Sequence, residues 1–153
     1  MNQNIALAVK NMQPVNKHKL WNLSTVLEIY ELIEQGKKQF DTRVPDPSNP
    51  EKDYASMLIG DVARIIAVDS INFRPLEDKP KLILEISALD YIRPVEGESW
   101  QDLARYMLNH IGLENVFPGY TIEEAIALYK KWPSTCRMQK NGLVAICFKD
   151  RLV

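Results

Sequence analysis

The sequence predicts an α+β domain built on a small, mostly antiparallel β-sheet with flanking helices. Apolar runs of strand length stand at residues 62–68, 81–89 and 143–148. Segments with apolar residues three and four apart stand at 26–35, 100–111 and 122–131. The order is helix, strand, strands, helix, helix, strand, which lacks the regular alternation of a parallel α/β sheet.

Taken in chain order, residues 1–20 are polar apart from Ile5–Val9 and read as an N-terminal arm, leaving 21–153 as one domain. Val26, Leu27, Ile29, Tyr30, Leu32 and Ile33 line one face of a first helix. Ser24 or Thr25 is placed to cap it, and Gly36 to end it in a left-handed turn. Residues 39–44 alternate as a strand, with Gln39, Asp41 and Arg43 on one face and Phe40, Thr42 and Val44 on the other. Pro45, Pro47 and Pro50 then enforce a loop. Gly60-Asp61 turns into the strand 62–68, and residues 70–80 connect it to the strand 81–89. Ser99 with Asp102, and Thr121 with Glu124, have the spacing of capping boxes for the second and third helices. The apolar run 143–148 closes the chain as a buried strand.

Composition sets outer bounds. The chain has 153 residues, 46% apolar and 25% charged, enough for one sizeable core and unlike a disordered or fibrous chain. No apolar run reaches the roughly 18 residues that span a bilayer. No charged region precedes the short apolar stretch near the N-terminus, so no secretory signal is read there. Two cysteines, Cys136 and Cys147, make neither a disulfide framework nor a zinc site, and a reducing cytoplasmic setting follows as the default. Net charge is −1, which excludes a uniformly basic polyanion binder. The charge is uneven: +2 over residues 1–43, −8 over 44–127 and +5 over 128–153. Folding could join the two basic ends in a site for a nucleotide or a short single strand, or leave them as solvated surface.

The densest cluster is Gly36-Lys37-Lys38-Gln39-Phe40-Asp41-Thr42-Arg43. It offers a mobile cation, a carboxylate and a planar guanidinium along one edge, the chemistry that holds phosphates and base edges. The same spacing suits a surface salt-bridge ladder. Trp21, Tyr54, Tyr91 with Arg93, Trp100 and Trp132 are candidates for stacking on bases. Tyr54 lies in the proline-rich loop, where it could form a lid. Trp100 falls on the core face of its helix, and Trp132 follows Lys130-Lys131 at a helix end. His110 ends a helix, a position that suits a structural hydrogen bond. Asp41, Asp61 and Glu114 could offer oxygens to a divalent ion, but no ligand spacing supports a metal. No cofactor motif is present.

Gly36-x-Lys38-x-x-Asp41-x-Arg43 after an amphipathic helix resembles the signature of the ASCH domain family, with Asp41 where the family usually has glutamate. Ile59-Gly60-Asp61-Val62 is similar to the family's later strand entry. The long stretch from His110 to Glu124, then Tyr129 and Gly142-Leu143-Val144-Ala145-Ile146, resembles small archaeal and bacterial ASCH proteins. The likeness covers roughly residues 21–149. It implies a PUA-like fold: a small, mostly antiparallel β-barrel with flanking helices and a cleft lined by the motif. It also implies recognition of RNA or of a nucleoside- or nucleotide-like ligand. On that reading Lys38 and Arg43 contact phosphate or carbonyl oxygens at the cleft mouth, Asp41 orients them, Glu114 completes the polar set, and Tyr54 and Trp132 add aromatic contact.

The runner-up is a hydrolase of the same fold, an amidohydrolase on N-acetylated cytidine-type nucleosides or a ribonuclease. One ASCH branch uses a lysine, a threonine and a glutamate for that amide hydrolysis. The lysine matches Lys38 and the glutamate Glu114, but the threonine position holds Asp41. Thr42 is adjacent, and a strand turns neighbours to opposite faces. A carboxylate beside Lys38 is also expected to raise its pKa, against a role as general base. A protein-interaction domain in a transcription or translation assembly is a third reading.

Overall fold

The computed structural model of the chain describes residues 18–151, and their side chains up to 148. Most of the expected arm lies outside the described residues. Five strands form one sheet: β1 Leu20–Val26, β2 Phe40–Arg43, β3 Val62–Val68, β4 Leu82–Ile92 and β5 Leu143–Arg151. The helices are α1 Leu27–Glu34, α2 Trp100–Ile111, α3 Leu113–Val116, α4 Ile122–Lys130 and α5 Met138–Asn141. Two 3-10 turns, Tyr54–Ser56 and Pro133–Arg137, complete the described elements.

The strand order is β1-β3-β4-β5-β2. Three of the four neighbouring pairs are antiparallel, and β1 runs parallel to β3 with Leu20 opposite Val62 and Val26 opposite Val68. β1 is the strand the sequence reading missed. Its alternation is regular, with Trp21, Leu23 and Thr25 buried and Leu20, Asn22 and Ser24 exposed. Ser24 and Thr25 were expected to cap the first helix and do not. The cap position is Val26, which carries no side-chain cap, and the Thr25 hydroxyl donates to Leu23 O instead. A parallel neighbour needs a long crossover, and its partner lies some forty residues on, which a local pattern does not reveal.

β1 and β2 are the two edges of the sheet, yet Arg43 of β2 donates to Ser24 O at 2.8 Å and to Thr25 Oγ1 at 2.9 Å on β1. The sheet must curl to bring its ends that close. The result is an α+β half-barrel with flanking helices, the PUA-like class. Register shifts between Leu84 and Ile86 and between Ile86 and Ala88, where β4 meets β5, are the irregularities that let such a sheet bend.

Trp21, Leu23, Ile65, Leu82, Ile86 and Ile146 fill the curl, and Tyr30, Met107, Leu108, Phe117, Tyr129 and Met138 pack the helices against it. Both capping boxes form, Ser99 with Asp102 on α2 and Thr121 with Glu124 on α4. β4 and β5 run three residues beyond the expected 81–89 and 143–148, because backbone pairing continues after the apolar run ends. α3, α5 and the 3-10 turns are too short to leave a periodic signal.

Candidate functional site: a cleft at the seam of the half-barrel

The end of α1 sets the site. Gly36 has φ +73°, Gly36 N–H donates to Ile33 O and Lys37 N–H to Leu32 O, both at 3.0 Å. This is the glycine-terminated helix end, and it turns the chain straight into β2. Gln39 N–H then donates to Asn115 O at 3.0 Å, tying the first cluster to the 110–120 segment.

Lys38 was expected at the cleft mouth, partly exposed. It is buried instead, its side chain 1% exposed. Nζ donates to Val116 O, lies 4.3 Å from the centroid of the Phe117 ring, and stands 3.8 Å from Asp41 Oδ1. The expected rise in its pKa is also corrected. Burial pushes the ammonium down, Asp41 only partly offsets this, Arg43 adds to the fall, and the pKa comes to about 8. Burial pushes the Asp41 carboxyl up, but the charges of Arg43 and Lys38, with hydrogen bonds from Arg43 and the Thr42 backbone, outweigh it and hold it below the usual carboxylate range.

Arg43 Nε donates to Asp41 Oδ2 at 2.8 Å, and its side chain stays 18% exposed. With Ser24 O, Thr25 Oγ1 and the Tyr54 hydroxyl as further partners, most of its donors are satisfied inside the protein. Above this guanidinium lies a cleft of about 320 Å³. Asp41, Arg43, Tyr54 and Trp132 all line it, so four of the sequence-selected residues meet there. Lys38 sits behind Asp41 and does not line the cleft. Glu114 is exposed on α3 and does not line it either.

Thr42 was expected on the opposite face from Asp41, but both line the cleft, because it wraps around the short edge strand and draws on both its faces. The Thr42 hydroxyl is hydrogen-bonded to the Tyr129 hydroxyl, and the Thr135 hydroxyl donates to Tyr129 O. Burial holds the Tyr129 phenol protonated, well above its ordinary pKa. Sequence reasoning also missed Phe73, Lys52 and Arg137, which line the same cleft from two loops and the second 3-10 turn. Arg137 Nη1 donates to Asp46 Oδ2 at 3.1 Å, and Lys52 is exposed at the rim.

The other candidates have structural places. Trp21 is 2% exposed and donates through Nε1 to Asp61 Oδ2 at 2.9 Å, so it offers no stacking face. Asp61 also accepts from Lys19 N and Leu58 N, which fixes the start of β1 against β3. Trp100 packs against the core and Tyr91 donates to Asn141 O. His110 pairs with Asp90 at 2.8 Å and stacks on Tyr106, outside the cleft. Trp132 packs edge-on against Tyr129, with ring centroids 5.4 Å apart. Among the described residues no group of three or more His, Cys, Asp or Glu could hold a metal ion, and no helix is long and apolar enough to cross a membrane.

No protein-family profile and no curated protein matches the sequence. Solved structures do. The chain is similar to the hypothetical protein PH0355, known from a crystal structure, with 27% identity and a TM-score of 0.59 over 85% of this chain and 97% of that one. It is also similar to protein PF0455 from Pyrococcus furiosus, known from a solution NMR structure, with 27% identity and a TM-score of 0.56 over 87% of this chain and 97% of that one. Nearly the whole length of both is matched, which places the chain with compact proteins built on this curled sheet.

Proposed function

We propose that this chain is an ASCH-type module that binds one nucleoside- or nucleotide-like unit, free or as an accessible unit of RNA, in the seam cleft. The observation that carries the reading is the meeting of a guanidinium, a carboxylate and two aromatic rings, Tyr54 and Trp132, in one concavity. Its volume of about 320 Å³ lies at the small end of ligand pockets and suits one nucleoside rather than a strand. The exposed edge of Arg43 can take an oxygen acceptor of the ligand, Lys52 and Arg137 supply cations at the rim, and Lys38 supports Asp41 from behind. The free Cys136 and Cys147 suit a reducing cytoplasm. A thermal-shift series with nucleosides, nucleotides and short RNAs tests this. A ligand at 100 times its Kd is expected to add about 2.7 kcal/mol. A flat response to every compound would remove the reading.

A hydrolase is the second reading, favoured by the lowered pKa of Lys38 and by the Thr42 hydroxyl in the cleft lining. Against it, Lys38 Nζ is engaged by Val116 O and Glu114 stands outside the cleft. Acetate release from N-acetylcytidine is expected to stay at background. Turnover of about 1 per second or more would reverse the preference and make Thr42 or a water the nucleophile.

A further inference from the structure

We propose that Phe73 is the stacking platform of the cleft, so that the group it selects is a flat aromatic ring. This rests on the binding reading above and deepens it. Phe73 lines the cleft, yet it is 42% exposed and takes no part in the hydrophobic core. Leu76, three residues on, does pack against the core, so the loop had a route inward that Phe73 does not take. Among the described residues Phe73 is the one non-glycine residue with positive φ, +57°. Glycine or asparagine would sit there at lower cost, and backbone strain of this kind gathers at ligand sites.

The loop is also built to hold that geometry. Asp69 Oδ1 accepts from Ile71 N at 2.8 Å and Asn72 N at 3.1 Å, and Phe73 N–H donates to Asp69 O at 2.9 Å. Arg74 N–H donates to Asn72 Oδ1 at 2.9 Å, and Asp69 N–H to Arg74 O at 2.9 Å. Pro75 bridges to Val68 at the end of β3. A large apolar ring is thus carried on a hydrogen-bonded backbone at the rim of a cavity whose other aromatic walls are Tyr54, Tyr129 and Trp132. A solvent-facing ring carried at the cleft rim offers its face to any base and is indifferent to hydrogen-bond pattern.

The test titrates AMP, CMP, GMP, UMP and ribose 5-phosphate against the wild-type chain, Phe73→Gly, Phe73→Tyr and Ile71→Ala, with melting temperatures recorded alongside. Phe73→Gly removes the ring and relieves the backbone, so affinity is expected to fall roughly 5- to 150-fold. Its melting temperature should stay level or rise. Phe73→Tyr should restore binding. Ile71→Ala, on the same loop but outside the cleft lining, should bind as wild type does, and ribose 5-phosphate should bind far more weakly than the best nucleotide. Nucleotide binding that survives Phe73→Gly would overturn the platform while leaving the binding reading standing. Equal affinity for ribose 5-phosphate would overturn the aromatic-ring class. A lower melting temperature for Phe73→Gly, with Phe73→Tyr equally weak in binding, would assign the ring to the fold and also overturn the proposal. Failure of the wild-type chain to bind any nucleotide would overturn the binding reading and the platform with it.

Discussion

Lys38 holds a charge in nearly dry surroundings, between Val116 O, the Phe117 ring and the Asp41 carboxylate. Its pKa falls from 10.5 to about 8 because burial outweighs the attraction of Asp41. The unfolded chain keeps this proton up to about pH 10.5, the folded chain only up to about 8. Between those values the unfolded state binds more protons, so stability from this group rises with pH across that window. Below it the buried charge holds stability down by about 3 kcal/mol. Lys38→Met should abolish the rise. Unfolding free energies from urea titration at about pH 7.5 and 10.5 are expected to show wild type gaining about 2–3 kcal/mol on the variant over that interval. Parallel curves would mean that Lys38 is solvated after all. Lys37, exposed and outside the network, is the control.

Arg43 does for the strands what a barrel does by closing. A sheet edge presents unpaired backbone groups, and a half-barrel has two such edges. Arg43 spans them, from Asp41 on its own strand to Ser24 O and Thr25 Oγ1 on β1. A planar five-donor fork reaches acceptors on two strands from three separate nitrogens held in fixed geometry, whereas an ammonium presents its three donors from a single atom on a flexible stem. Arg43→Lys keeps the charge and is expected to cost about 2–4 kcal/mol. Amide hydrogen exchange should accelerate first along β1 and β2, with β3 and β4 still protected. A loss below about 0.5 kcal/mol with unchanged exchange would show the seam to be held by packing alone. The cleft lies over this seam, so the contact that closes the fold also shapes its floor.

At the scale of the whole molecule, the charge segments resolve into one rim. Arg43 comes from the N-terminal segment, Lys52 from the acidic middle and Arg137 from the basic C-terminal segment, and all three line the cleft. Three cations, two of them already paired with Asp41 and Asp46, suit a phosphate or two rather than a long backbone. The thermal-shift series therefore carries an expectation about salt. Log affinity should fall with log salt concentration by a slope of about −1 to −2, close to the number of phosphates engaged. A slope near −6, or affinity that climbs steadily with RNA length, would point to a surface track rather than the cleft.

The sequence by itself determined the elements whose signals are local. β3 and α2 fall on the expected 62–68 and 100–111, since strand alternation, helical spacing and a capping box each act within a few residues. It also singled out Asp41, Arg43, Tyr54 and Trp132, which the cleft brings together. Only the tertiary structure decided the rest. β1 carries a short local alternation, but its pairing was set by the parallel partner β3, far along the chain. The sign of the Lys38 shift depended on how dry Val116 and Phe117 make its surroundings, and neighbours in sequence supplied only the opposing carboxylate. Glu114, assigned to the site by resemblance, landed outside the cleft. Phe73 had no sequence signal, because its place depends on where a curled sheet leaves the loop after β3. Local patterns are set by interactions over three or four residues, whereas burial, pKa and cleft membership are set by segments that meet only when the sheet closes on itself.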